Sequence, residues 1–254
     1  MNTTDAIAHR LIQAYRQRAP IHGNPASGPD NIDAAYAVQR AVWQAMVGVG
    51  RPAAWKVGSP AREVAPNAAP VFPSRLAASP ARFPGDLFVG LGIEAEIALR
   101  FGRDLPPRQE PYSRNAILDA IGSVHVAMEL VASRLADPEA AGPLWRLADN
   151  PLNGALVVGD AVPHWRDLDW GGLTVQAWVD GQALAGVIGR PPLGDIFHCL
   201  PWWLAHVGGA RAGDIVTTGA WSGMHPVGLT TEVAVMFAGV GKAVARIGAY
   251  HAPA

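Results

Sequence analysis

IEAEIALRF, residues 93–101, alternates without a break: Ile93, Ala95, Ile97 and Leu99 fall on one face of an extended chain, Glu94, Glu96 and Ala98 on the other. VHVAMELV, 124–131, alternates again, and His125, Ala127 and Glu129 share a face. Between them SRNAILDAIG, 113–122, reads as a short helix with Ser113 as its cap. These segments set the period for everything C-terminal to them. After LADN at 147–150 the chain is mostly β-branched alternation: ALVVGDAV, LTVQAWV and QALAGV joined by an Asp180-Gly181 turn, DIVTTG, LTTEVAVMF and KAVARI. A single helix, about 194–207 (GDIFHCLPWWLAHV), interrupts them, kinked or started late by Pro201.

Toward the N-terminus the period lengthens. AAWKVG at 53–58 is a short strand, and the Pro-rich stretch from Ser59 to Pro84 is long enough for a lid or binding loop. Residues 5–18 place Ile7, Leu11, Ile12 and Tyr15 on one helical face, and 33–47 do the same with Ala35, Val38, Val42 and Met46, ended by Gly48 and Gly50. Turn chemistry fills 21–31 between them. The fold class is therefore α+β: N-terminal helices (1–52, a helical cap) packed on a strand-rich, rolled or barrel-like mixed β core (53–254).

Composition narrows the function. The 254 residues are 50% hydrophobic and 16% charged, with a formal charge of −1, which offers no electrostatic footprint for nucleic acid or an anionic membrane. One cysteine, Cys199, excludes an internal disulfide and a thiolate zinc site. No stretch reaches 18 apolar residues and the first twenty lack an uninterrupted apolar run, so the reading is a soluble, cytoplasmic chain.

Glu94 and Glu96, two apart on a strand, stand roughly 7 Å apart at Cβ and either converge on one cation or simply present the polar face of a half-exposed strand to water. Glu129 on the next strand supplies a third carboxylate. Three carboxylates without a thiol favour a hard ion with open positions, Mg²⁺ or Mn²⁺. Only two of twenty basic residues are lysines, Lys56 and Lys242. Lys56 lies between Trp55 and Val57, where desolvation is expected to lower its pKa and make it usable as a general acid/base. Gly219-Ala-Trp-Ser222-Gly223 sets its serine one place too late for a nucleophile elbow, and Gly239-Val-Gly-Lys242 lacks the rest of a phosphate-binding loop.

IEAEIAL followed some thirty residues later by VAMELVASRL resembles the metal-binding core of the fumarylacetoacetate hydrolase-like superfamily, and more closely its 2-keto-4-pentenoate hydratase and 4-oxalocrotonate decarboxylase branch. DAAYAVQRAV (33–42), AAWKVGSP (53–60), GIEAEIALRFGRDLP (92–106), LADNPLNGALVVG (147–159), LGDIFHCLPWWLA (193–205) and AGDIVTTG (212–219) follow the branch in order. The resemblance implies Glu94, Glu96 and Glu129 as Mg²⁺ ligands and Lys56 as a proton-transfer residue. It implies a small 2-keto acid substrate, chelated through a carboxylate oxygen and the C2 carbonyl so that the cation stabilises an enolate. A homo-oligomer, and an association with an enzyme of the same pathway, are further expectations from it.

The sequence departs from the branch pattern in the proton-transfer half. Where hydratases of the branch carry an acidic residue after the lysine strand, APVFPSRL (69–76) has none; Glu63 and Asp86 are the nearest substitutes. A small hydroxyl residue after the Asp-Asn pair is replaced by Leu152. Arg134 and Thr218 are candidate contacts for a substrate carboxylate. His125 is either a neighbour of the ligands or a hydrogen-bonded core residue, and His198 and His225 are candidate bases. Trp202 and Trp203 read as core or subunit contact. The expected function is a Mg²⁺-dependent hydratase-like lyase on a 2-keto or 2-hydroxydienoic acid. Its rivals are a 4-oxalocrotonate-type decarboxylase, another superfamily reaction such as tautomerisation or C–C hydrolysis, and a catalytically silent metal-binding partner subunit.

Overall fold

The computed structural model describes residues 3–185, 187 and 189–248. Two helices open the chain, α1 (Thr3–Gln17) and α2 (Ile32–Met46), the second capped by Asn31, whose side chain accepts from the Ala34 amide. The strands β1 (Ala54–Gly58), β2 (Asn67–Pro70), β3 (Leu76–Ala78), β4 (Ala81–Pro84) and β5 (Gly92–Phe101) follow, then α3 (Arg114–Ala120) and β6 (Ile121–Val131). The short helices α4 (Pro138–Ala141) and α5 (Pro143–Ala148) lead into β7 (Asn153–Ala161), β8 (Val175–Val179) and β9 (Gln182–Ala183). After α6 (Leu200–Val207) the chain ends in β10 (Ile215–Thr217), β11 (His225–Pro226), β12 (Thr231–Phe237) and β13 (Gly241–Gly248).

The strands form two sheets. One runs β2-β1-β10-β5-β6-β7-β3 with β11 paired to β5; the other runs β4-β13-β12-β8-β9. Both are mixed: β1 and β10, β3 and β7, and β4 and β13 pair in parallel, and the remaining pairs are antiparallel. The larger sheet has to curl. Its two edge strands, β2 and β3, are joined by residues 71–75 alone, a link that spans at most about 20 Å. Laid flat, seven strands would put those edges about 29 Å apart.

Alternation along β5 sorts the two faces. Ile93, Ala95, Ile97 and Leu99 are buried in the main core, with Val124, Val126, Met128 and Leu130 of β6, against Val233, Val235 and Phe237 of the second sheet. The opposite, inward-curled face has its own apolar floor: Ala54, Val71, Ala98, Ala127, Leu156, Val158 and Ile215. The site stands at one end of that floor. A third cluster joins α1 and α2 to Phe72, Leu135 and Trp145, so the helical layer also draws on residues 135–148 from the middle of the chain.

Two sequence expectations change here. The stretch 59–84 is not one lid: it supplies both edges of the curled sheet and, in β4, an edge of the second. Strands as short as NAAP and LAA carry too little alternation to be read as such. The helix expected from 194 starts at Leu200, with Pro201 in its first turn where a missing amide costs nothing, and stops at Gly208 in the left-handed region. The Asp180-Gly181 turn joins β8 to β9 with both residues at positive φ, as expected; Gly186 of the QALAGV stretch lies outside the described residues.

Candidate metal centre

Antiparallel register sets Glu94 directly opposite Glu129, and Glu96 two residues along from Glu94 shares its face. One oxygen from each of the three lies within 4.8 Å of the others. Glu96 and Glu129 are fully buried, and the Glu94 side chain is 16% exposed, so the cluster opens toward solvent on the Glu94 side. β1 lies one strand beyond β10 and brings Lys56 to the same face: its Nζ is 3.0 Å from Glu129 Oε1 and 4.0 Å from Glu94 Oε2, and donates to the Pro151 carbonyl at 2.9 Å.

Three carboxylates against one ammonium set the electrostatics. Burial raises Glu94 to about 7, with Lys56 opposing and Glu129 adding to the rise. Burial also holds Glu96 well above the usual carboxylate range, reinforced by Glu129 and Glu94. The expected lowering of Lys56 is overturned. Burial does depress it, but the attraction of Glu129, Glu94 and Glu96 outweighs burial and pushes it up to about 12. A flanking tryptophan and valine said that the lysine was shielded; they could not say what it was shielded with.

The donor set fits a hard divalent ion. Glu96 Oε2 accepts from the Gly219 amide at 3.2 Å while Glu96 Oε1, buried, has no partner. Glu129 Oε1 accepts from Asn153 Nδ2 at 2.9 Å while Glu129 Oε2, also buried, has none. Bare carboxylate oxygens inside a protein are costly, and a cation is the partner that would satisfy both at once.

Other candidates fall elsewhere. Each nitrogen of Arg134 already donates to protein oxygen: Nε to Asp149 Oδ1 (2.5 Å), Nη1 to the Ala132 and Asn153 carbonyls (2.7 and 2.8 Å), Nη2 to the Asp149 carbonyl (2.6 Å). Its guanidinium also faces the Tyr15 ring. The geometry makes it an internal tie rather than a contact for a substrate carboxylate. The Thr218 hydroxyl is turned to the Ile97 carbonyl at 3.1 Å; Thr217, one residue earlier and opposite Ala98, shares the site face, and its Oγ1 accepts from the Val57 amide at 3.5 Å. Strand parity was the signal for Thr217, but the end of the strand could not be placed from sequence.

His125 is four residues, about 13 Å, along β6 from Glu129. It bonds Ser123 Oγ at 2.8 Å and the Gly159 carbonyl at 3.2 Å, which is the hydrogen-bonded structural alternative. His198 lines a surface groove with Arg114 and Asp195. His225 sits opposite Ile93, on β11 beside β5, its Nε2 on the Ser222 carbonyl. Asp86 is exposed and paired with Arg18, and Glu63 is exposed on the 59–66 loop. Ala69, not a carboxylate, is the register partner of Lys56. Trp203 is fully buried, stacked on Phe101, and Trp202 is half-buried against His206. Among the described residues no helix is long and apolar enough to cross a membrane.

A family model described as fumarylacetoacetate (FAA) hydrolase C-terminal matches residues 49–248. The chain is 27% identical over 239 residues to the 2-keto-4-pentenoate hydratase of Paraburkholderia xenovorans (strain LB400), covering 87% of this chain and 86% of that one. With a 2-keto-4-pentenoate hydratase of Burkholderia vietnamiensis (strain G4 / LMG 22486) it shares 29% identity over 160 residues, 59% of this chain and 58% of the relative. Among solved structures, 4-oxalocrotonate decarboxylase from Pseudomonas putida G7, complexed with magnesium and adipate, superposes at a TM-score of 0.80 with 21% identity over 96% of both chains.

Proposed function

This chain belongs to the fumarylacetoacetate hydrolase family, and on that premise we propose that it is a Mg²⁺-dependent lyase acting on a small 2-keto or 2-hydroxydienoic acid, by a hydratase-like addition of water. The observation that carries the reading is the pair of buried, partnerless oxygens, Glu96 Oε1 and Glu129 Oε2, converging with Glu94 beside a lysine. The names of the curated relatives and the magnesium in the structural neighbour support it.

In this reading Glu94, Glu96 and Glu129 hold the cation, which when bound supplies a Lewis acid for the carbonyl of a chelating 2-keto acid. Lys56 moves the proton. Its ammonium reaches the carboxylate cluster, and Pro151 fixes one of its three N–H bonds, which aims the remaining donors across the cluster. A cation that took up the carboxylates would also remove the attraction that raises Lys56, and so bring it nearer to a working acid/base. The apolar floor of Ala54, Ala98, Ala127 and Leu156 excludes bulk water below the cluster and strengthens its electrostatics.

One observation favours a second reading, a 4-oxalocrotonate-type decarboxylase: opposite Lys56 stands Ala69, and 69–76 offers no second acid. The test is titration of the metal-stripped protein with oxalate, with and without Mg²⁺. Binding that requires Mg²⁺ and disappears in Glu94→Gln is expected; oxalate binding indifferent to the ion would overturn the metal reading. Consumption of 2-hydroxypenta-2,4-dienoate without CO₂ release then separates hydration from decarboxylation, which would release CO₂ from 2-oxohex-3-enedioate.

A further inference from the structure

We propose that Asn153 is a positioning residue that fixes which oxygen of Glu129 meets the cation. The inference rests on the metal reading above and extends it to a residue that is neither ligand nor proton carrier.

Asn153 opens β7, at the point where the β6–β7 register slips between Leu130 and Val131. The slip puts the side chain on the site face, and Nδ2 donates to Glu129 Oε1 at 2.9 Å. Lys56 Nζ reaches that same oxygen at 3.0 Å. Two donors therefore hold Oε1, and Oε2 of the same carboxylate is buried with none. Glu96 shows the same division, with Oε2 held by the Gly219 amide and Oε1 bare. In both residues the protein claims one oxygen and leaves the other, so each offers a single ligand atom and the carboxylate plane is set before an ion arrives. Outer donors of this kind orient ligands, and their loss commonly lowers metal affinity 10- to 100-fold.

The surroundings hold Asn153 in place. Arg134 Nη1 donates to its backbone carbonyl at 2.8 Å, and the next residue is Gly154, where a Cβ would stand 2.6 Å from the Leu130 carbonyl. The strands can approach this closely only because residue 154 has no side chain. The amide faces Glu129 with Nδ2, its donor end.

The test compares wild type, Asn153→Leu and Asn153→Ser for Mn²⁺ binding by calorimetry, with the Mn²⁺ electron paramagnetic resonance line shape and the metal-free melting temperature recorded on each. The expected result is a 10- to 100-fold weaker Mn²⁺ affinity and an altered line shape in each variant that melts cooperatively, with a smaller stabilisation by Mn²⁺ than in wild type. Serine is small enough to keep a folded variant in hand if leucine is not accommodated. Wild-type affinity and line shape in either folded variant would overturn the positioning role and leave the metal reading standing. A wild-type protein that binds no Mn²⁺ would overturn both, so the two failures are distinct.

Discussion

Two buried ionic clusters lie within a few residues of each other, and they are finished to different degrees. Around Arg134 and Asp149 every partner is present: Asp149 Oδ2 takes the Ser133 hydroxyl and the Arg134 amide, Oδ1 takes Nε, and the remaining guanidinium nitrogens go to carbonyls. Around Glu94, Glu96, Glu129 and Lys56 two buried oxygens have no partner, and negative charge is in excess. Both hold fully buried carboxylates, Asp149 in one and Glu96 and Glu129 in the other, so depth alone does not separate them. The carboxylates differ in completeness: both oxygens of Asp149 are held by donors, whereas Glu96 and Glu129 each keep one bare, the pair that the proposed metal would take.

The sharpest break between the two comes from Glu96→Gln. Turnover and Mg²⁺ affinity should fall at least about 100-fold, while the metal-free melting temperature stays level or rises because a buried, uncompensated carboxylate has become neutral. Metal titration beside a thermal melt reads both, and a large loss of metal-free stability would place Glu96 among structural ions. Arg134→Met should do the reverse. It leaves Asp149 buried without its cation, at a cost of about 3–5 kcal/mol in urea unfolding. A cost below about 1 kcal/mol would count against the tie.

A milder contrast is written in pH. Glu94 in the metal-free protein titrates at about 7, above its unfolded value, so the folded state binds the extra proton. Its contribution to stability is complete below about 4.5 and is lost as pH rises to about 7. Metal-free wild type should therefore fall in melting temperature relative to metal-free Glu94→Gln over that interval, the gap opening as pH rises. Mg²⁺ affinity should move the other way and rise with pH, because its ligands must be deprotonated. The smallest effect is expected from Thr218→Val: about 1 kcal/mol for the lost bond to the Ile97 carbonyl, with metal affinity unchanged.

What could be read from the sequence follows the same division. The alternation of 93–101 and 124–131 identifies the faces correctly, because a period of two is imposed by backbone geometry and needs no partner strand. That the three carboxylates and Lys56 come together on one face was expected from face parity together with the branch resemblance. Asn153, Thr217 and the Gly219 amide were not, since their roles depend on a register slip, on where a three-residue strand ends, and on a main-chain atom. The tie between Arg134 and Asp149 was hidden for a related reason: Asp149 lies across a turn whose path, through Asn150 and Leu152 at positive φ, has no periodic signal. The edge strands of the curled sheet escaped notice because three or four residues of alanine and proline have no pattern to show.

The pairing of β1 with β10 has a consequence for synthesis in the cell. Val57 and Thr217 are hydrogen-bonded neighbours although 160 residues separate them along the chain. At about 5–20 residues per second a ribosome needs roughly 8–30 s to travel that distance. Once Glu129 has been made, Lys56 and the three glutamates are all present, but β10, the strand that joins Lys56's strand to theirs, has not been made. A growing chain therefore carries the glutamates without the lysine beside them, and the four side chains come together late, when residues 215–217 emerge.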